Sequence, residues 1–137
     1  MAQVTFRRTV GTADRTCDHA AMRLQTTKAV SLLIVSGLYW HLVCRTAGVA
    51  EPWDGEAYWR LWYPFSCVLA AAGGYRLGRQ GWRAGGLVTF AQLPVMWFNG
   101  GTGSLLAAGL LILCLLAIPA TVIAALAGRF ATRVRAF

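Results

Sequence analysis

Charged side chains are scarce in this chain of 137 residues, and their scarcity is uneven. They make up 13% of the sequence, which is about half of the ~25% found in ordinary soluble domains. From Ser104 to Ala127 there are 24 consecutive residues without a charge. Because apolar residues reach 57%, a water-soluble domain of this length could not bury them all. A bilayer can receive them, so the composition predicts an integral membrane protein.

Residues that commonly bind metals or perform catalysis are also few. The two histidines are far apart, which argues against a zinc site or a bis-histidine haem. No Ser/His/Asp set and no carboxylate pair within an apolar segment is found. We therefore expect no metal site, no cofactor and no enzymatic activity. The four cysteines also lack CxxC spacing; they are Cys17, Cys44, Cys67 and Cys114.

Basic residues outnumber acidic residues by 13 to 5, which gives a formal net charge of +8. The arginines flank apolar segments instead of sharing one helix face, so nucleic acid is not the expected partner. Basic residues at the edges of a membrane contact anionic lipid head groups. The residues for which we expect such lipid contacts are Arg76, Arg79, Arg83, Arg129 and Arg133.

Four apolar segments predict an all-α bundle of four transmembrane helices. We place these segments at about residues 29–44, 57–78, 84–98 and 104–127. The last segment is sufficient by itself, since a helix of that length measures roughly 36 Å and the hydrocarbon core is about 30 Å thick. The third is short and contains Pro94, which should kink it or break its hydrogen bonding. Ser104 can cap the last helix.

The N-terminal residues 1–22 show no helical periodicity, and we expect a disordered cytoplasmic segment before a transmembrane domain of residues 23–137. They do not form a signal peptide, because the first apolar stretch begins only near Ala29. A second hypothesis is that translation begins at Met22, just before the first membrane helix. Residues 1–21 would then not be part of the protein.

The basic residues predict the orientation of the chain in a cytoplasmic (inner) membrane. Eleven of the thirteen lie before the first segment, in the link between the second and third segments, or in the tail. The other two, Arg45 and Arg60, lie on the opposite side. Because cytoplasmic loops carry an excess of Lys and Arg, both termini should be cytoplasmic.

Small residues recur four positions apart in the second and fourth segments. Such a stripe lets another helix approach closely. It fits the packing of this bundle, which we favour, or a face between two copies of the chain. The stripes consist of Ser66, Ala70, Gly74 and Gly78 in the second segment, and of Ala120, Ala124 and Gly128 in the fourth.

The first external loop and the start of the second segment combine acids with aromatic rings. Aromatic residues at this level commonly form a belt at the membrane interface. The alternative is a binding patch for a cationic ligand or a basic partner loop, because carboxylates and ring faces both attract cations. The residues of this acidic-aromatic patch are Glu51, Trp53, Asp54, Glu56, Tyr58, Trp59 and Trp62.

Three polar residues are candidates for a ligand site or a solute pathway, namely His41, Gln92 and Asn99. His41 is either a hydrogen-bonded structural histidine, which we favour, or a proton relay or ligand contact. Gln92 either satisfies the backbone carbonyl that Pro94 deprives of its donor, or lines a polar cavity.

Two functions from different classes remain open. Ample helix-packing surface without buried charge favours a non-enzymatic interaction or accessory subunit, including one that self-associates. The alternative is a small transporter or channel for a small or cationic solute. Such a transporter would depend on His41, Thr89, Gln92 and Asn99. A membrane enzyme is a distant third hypothesis, since no nucleophile–base pair can be named.

Overall fold

The computed structural model describes residues 2–49, 51–100 and 106–135, and every regular element in these ranges is helical. The predicted all-α class is therefore confirmed. Three short helical turns connect the longer helices; they are Pro52–Asp54, Tyr58–Trp62 and Gly78–Gln80. The five longer helices are α1 Ala2–Ala47, α2 Tyr63–Leu77, α3 Trp82–Phe90, α4 Gln92–Gly100 and α5 Leu106–Val134.

Two of these helical regions are long and apolar enough to cross a membrane, namely Met22–Asp54 and Ala107–Val134. Only 22% of the most apolar stretch of each is buried within the chain, whereas the core helix of a soluble protein is mostly buried. Helices α2, α3 and α4 have 15, 9 and 9 residues and are shorter. Ser104, the predicted cap of the last segment, lies outside the described residues.

Helix α1 extends further toward the N-terminus than the sequence indicates. The helix begins at Ala2 and continues into the apolar segment. No proline interrupts this stretch, and extending an existing helix adds one hydrogen bond for each residue that is fixed. Residues 2–22 therefore continue the first apolar helix.

The third predicted segment consists of two helices. Helix α3 ends at Phe90 and α4 begins at Gln92, so that Ala91 separates them. Pro94 explains this break, because it has no N–H to offer the Phe90 carbonyl and its ring crowds that carbonyl. The interruption expected from Pro94 therefore falls one turn before the proline.

Two groups of buried side chains hold the helices together. An aromatic core joins α1, α4 and α5 to the segment between α1 and α2, and a small-residue core joins α2, α3 and α5. The buried members of the aromatic core are Trp40, Val43, Cys44, Tyr58, Ala91, Val95 and Leu116. Those of the small-residue core are Ala70, Leu77, Ala84, Val88, Ala120 and Ala124.

Helices α2, α3 and α5 approach one another at glycine backbones. A Cβ atom on Gly74 would overlap the carbonyl group of Ala124, and one on Gly85 would overlap the backbone of Thr121. A Cβ atom on Gly81 would lie 2.8 Å from the carbonyl oxygen of Gly74. Such close backbone approach is the arrangement that small residues permit. The stripes of α2 and α5 are thus packed inside the chain.

Candidate functional site

Residues 51–62, which we call the cap, cover one end of the helices. The cap ends in the π-helical turn Tyr58–Trp62, where the N–H of Trp62 donates to the carbonyl of Ala57 over 3.3 Å. A π turn holds one residue more than an α turn and is frequent at functional sites. Pro64 lies just beyond this turn and cannot donate a backbone hydrogen bond. The pattern of backbone hydrogen bonds changes from π to α at this point.

Two tyrosines beside the cap bind backbone carbonyls of distant segments. The hydroxyl of Tyr39 on α1 donates to the carbonyl of Trp62 over 2.5 Å. The hydroxyl of Tyr63 on α2 donates to the carbonyl of Leu116 on α5 over 2.9 Å. Each phenol is half-buried and satisfies its polar tip. Together they fix the end of the cap to α1 and α5.

Trp40 connects the cap with α3. Its side chain is fully buried, and its indole N–H donates to the carbonyl of Val88 over 2.9 Å. Its ring centroid lies 4.9 Å from that of Tyr39 and 5.8 Å from that of Tyr58. These distances lie in the range in which aromatic pairs attract each other. Trp40 is therefore the centre of the aromatic core.

The aromatic members of the acidic-aromatic patch face the protein in most cases. Tyr58 is fully buried, Trp53 and Trp62 are half-buried, and Trp59 is 56% exposed. The Trp53 ring lies against α5, since a Cβ on Gly109 would be 3.2 Å from it. These rings hold the cap in place, and only Trp59 presents a large aromatic surface to the outside.

The acidic members of the patch have the opposite placement. Asp54 and Glu56 are exposed, and Glu51 is half-buried. Within the part of the chain that the structure describes, none of the three carboxylates forms an ion pair. The cap therefore presents unpaired negative charge on a segment that is fixed by its aromatic side chains.

Beneath the cap, Tyr58 and Gln92 form a buried polar pair. Both side chains are fully buried, and the Tyr58 hydroxyl faces the amide group of Gln92. Among the described residues, no hydrogen bond of ordinary geometry satisfies the Tyr58 hydroxyl or either polar atom of Gln92. The amide therefore does not satisfy the carbonyl affected by Pro94. A buried polar group left in this state costs about 1–3 kcal/mol.

The other two pathway candidates, His41 and Asn99, meet at a shallow cavity of about 390 Å³ beside the cap. Cys44 and Arg45 also line it, and the Cys44 thiol interacts with the Asn99 side chain. Gln92 is on the same helix as Asn99 but does not line this cavity. The structure thus brings together two of the three candidates. Thr89 is buried elsewhere, in α3.

The five arginines expected to contact lipid are exposed at the end of the bundle opposite the cap, which we call the arginine end. They gather there because the link between α2 and α3 packs on α5, where a Cβ on Gly128 would lie 3.0 Å from the Cα of Gly81. Gly78 ends α2 with a positive φ of 58°, which favours glycine. Arg83 also donates to Gln80 over 3.0 Å.

Two features of this arrangement were not predicted from the sequence. Gly81 and Gly85 are also four residues apart and form a third small-residue contact, a spacing that could have been recognised. The hydrogen bonds of Tyr39, Trp40 and Tyr63 have no comparable signal, because their acceptors are carbonyls of distant segments.

Metal-ligating residues do not gather anywhere in the described ranges, where no group of three or more His, Cys, Asp or Glu side chains could hold an ion. Comparison with known proteins finds no matching family model, no similar curated protein and no similar solved structure. Function is therefore inferred from the geometry of the cap, of the buried polar pair and of the cavity between His41 and Asn99.

Proposed function

We propose that this chain is a multi-pass protein of a cytoplasmic (inner) membrane, with four membrane segments and both termini inside. Residues 58–77 and 82–100 form helical stretches of roughly 30 Å and 28 Å, which match the hydrocarbon thickness. Each can therefore accompany α1 and α5 across the bilayer. The arginine end would face the cytoplasm, and the acidic cap would face outside.

Tags at the two termini test this orientation. Both tags should be protected from protease in intact cells and become accessible after the membrane is opened. The protein should also stay in the membrane fraction until detergent is added. A terminus that is reachable from outside, or a protein that remains soluble without detergent, would contradict the proposal.

We further propose that the protein is a non-enzymatic accessory subunit that binds a partner at the cap. The observation that supports this proposal is that the aromatic side chains of the cap are mostly packed against the protein, whereas its carboxylates form no ion pair among the described residues. Because Trp53 and Tyr58 fix the segment, its charges are held in place before a partner arrives. A partner with a basic segment on the outer side of the membrane has the complementary charge. The small-residue stripes are already filled by contacts within the chain.

A triple variant, Glu51→Gln, Asp54→Gln and Glu56→Gln, tests this role. Its control carries Arg129→Gln and Arg133→Gln, which remove exposed charges from the arginine end. After cross-linking in native membranes and extraction in mild detergent, the wild type and the control should migrate as a complex. The triple variant should remain folded but lose the partner. A strictly monomeric wild-type protein with no cross-linked partner would refute the proposal.

The buried pair of Tyr58 and Gln92 favours a small transporter as the second candidate. Polar groups without partners inside a membrane bundle commonly mark a substrate pathway. In proteoliposomes, Gln92→Leu and His41→Phe should abolish solute flux with the fold intact if the protein transports. An accessory subunit with these substitutions should keep its partner. These two outcomes distinguish the candidates.

A further inference from the structure

A groove of about 310 Å³ lies between α1 and α2 toward the arginine end. This volume falls within the range of roughly 300–1,000 Å³ that is usual for sites that bind small molecules. Its walls combine two basic side chains with an apolar surface. The lining residues include Lys28, Leu32, Val35, Leu69, Gly73 and Arg76.

The two walls of the groove carry matching patterns. On α1 the lining residues follow Lys28 at the third, fourth and seventh positions, and on α2 they precede Arg76 at the same spacings. These spacings place each set on one helix face. Because α1 and α2 run in opposite directions, Lys28 and Arg76 lie at the same end. The apolar wall continues from this charged end for roughly 10 Å along the helices.

Gly73 lets the side chain of Leu32 pack directly on the backbone of α2. A Cβ atom there would lie 2.7 Å from the Cδ2 atom of Leu32, so that Leu32 and Gly73 together form the floor. Leu32 is also packed against the small-residue core. The floor is therefore attached to the most tightly packed part of the chain.

The basic groups are the donors available to a ligand in this groove. The hydroxyls of Thr27 and Ser31 already donate to the carbonyls of Arg23 and Thr27, each over 2.9 Å. The groove contains no acidic side chain among its described lining residues. Lys28 and Arg76 thus present positive charge that is not neutralised within the groove.

We propose that this groove binds one anionic phospholipid of the cytoplasmic leaflet. The phosphate lies between Lys28 and Arg76, and an acyl chain follows the apolar wall past Leu32 to Val35 and Leu69. The groove is charged at one end and apolar along its wall, as a phospholipid is charged at its head group and apolar along its acyl chains. This inference rests on the membrane placement proposed above. It adds a defined site and Lys28 to the general lipid contacts expected of the arginines.

Native mass spectrometry of the detergent-purified protein, titrated with phosphatidylglycerol or phosphatidylcholine, tests the site. The wild type should retain phosphatidylglycerol selectively. Lys28→Gln with Arg76→Gln should weaken that retention about tenfold or more, since each basic residue near an anionic lipid contributes an appreciable attraction. The matched control, Arg45→Gln with Arg60→Gln, removes the same charge from exposed side chains at the cap end and should retain the lipid.

A second variant, Ala72→Trp, keeps both charges. Because Ala72 of α2 lines the groove, the larger side chain fills its apolar part. It should also lose phosphatidylglycerol, while weak binding of soluble glycerol phosphate stays unchanged. Equal retention of both lipids by the wild type, or equal loss in the control and the groove variants, overturns the lipid site. Retention of phosphatidylglycerol by both folded groove variants overturns it too. Failure of the protein to enter liposomes refutes the membrane placement itself.

Discussion

Gly74 of α2 lies directly against the backbone carbonyl of Ala124 of α5, with no space for a side chain between them. Lipid tails are as apolar as the side chains of a membrane helix, so helices in a bilayer associate chiefly through close packing and hydrogen bonds. The approach of these two backbones is therefore a main source of contact between α2 and α5. Several consequences of the packing can be measured.

Gly74→Ala should lower the free energy of unfolding by about 1–3 kcal/mol, because the added methyl group forces α2 and α5 apart. Thermal unfolding in detergent, followed by circular dichroism, measures the effect. The control is Gly86→Ala, since a Cβ at Gly86 meets nothing within 4 Å. This control should leave stability unchanged or raise it by up to ~1 kcal/mol through helix propensity. Equal stabilities of the two variants would contradict the packing described here.

Trp40→Phe should lower the stability by about 1–3 kcal/mol, because it removes a buried hydrogen bond to the carbonyl of Val88 and leaves space beside it. Trp97→Phe is the matched control, since Trp97 is 62% exposed. It should change the midpoint of unfolding very little. The prediction fails if the two substitutions have the same effect in the same detergent.

Gln92→Leu should leave the stability unchanged or raise it by about 1 kcal/mol, because it replaces a buried amide that has no partner by an apolar side chain of similar size. Tyr58→Phe should behave in the same way. Thermal unfolding again supplies the measurement. A clear loss of stability in both variants would contradict this prediction and would mean that the hydroxyl and the amide satisfy each other.

Pro94→Ala should make the helix continuous from α3 into α4, since it restores a donor for the Phe90 carbonyl. Hydrogen exchange at residues 92, 93 and 95, the first amides of α4, should slow, and the protein should gain up to about 3 kcal/mol. The comparison variant is Pro119→Ala, because α5 continues through Pro119 without a break. Exchange at residues 92, 93 and 95 should not respond to it. Fast exchange that persists in Pro94→Ala would mean that another contact breaks the helix.

The helical class and the small-residue stripes could be predicted because both leave local marks in the sequence. The inward and outward faces of α5 could not be separated by hydropathy. Leu111 is 63% exposed and Leu113 is fully buried, although both are leucines. Both faces of α5 are apolar, so the usual periodicity is lost. Residue size was the better guide, since Ala120 and Ala124 mark the buried face.

The candidate site was harder to predict, since its contacts join distant parts of the chain. Tyr58 and Trp59 are neighbours of similar chemistry, and both were assigned to one patch. The structure buries Tyr58 against Gln92 and exposes Trp59. The difference depends on the π turn and on the helix break near Gln92, and neither has a precise sequence signature. Pro94 indicated the break but not its effect on Tyr58.

The π turn also sets a requirement on length. Loss of any one residue from it would leave an ordinary α turn, and every side chain before the deletion would rotate by roughly 100° relative to α2. Tyr58 would then point away from Gln92, and another side chain would take its place in the interior. A substitution within this stretch changes one side chain, whereas deletion of a single residue would displace the entire cap.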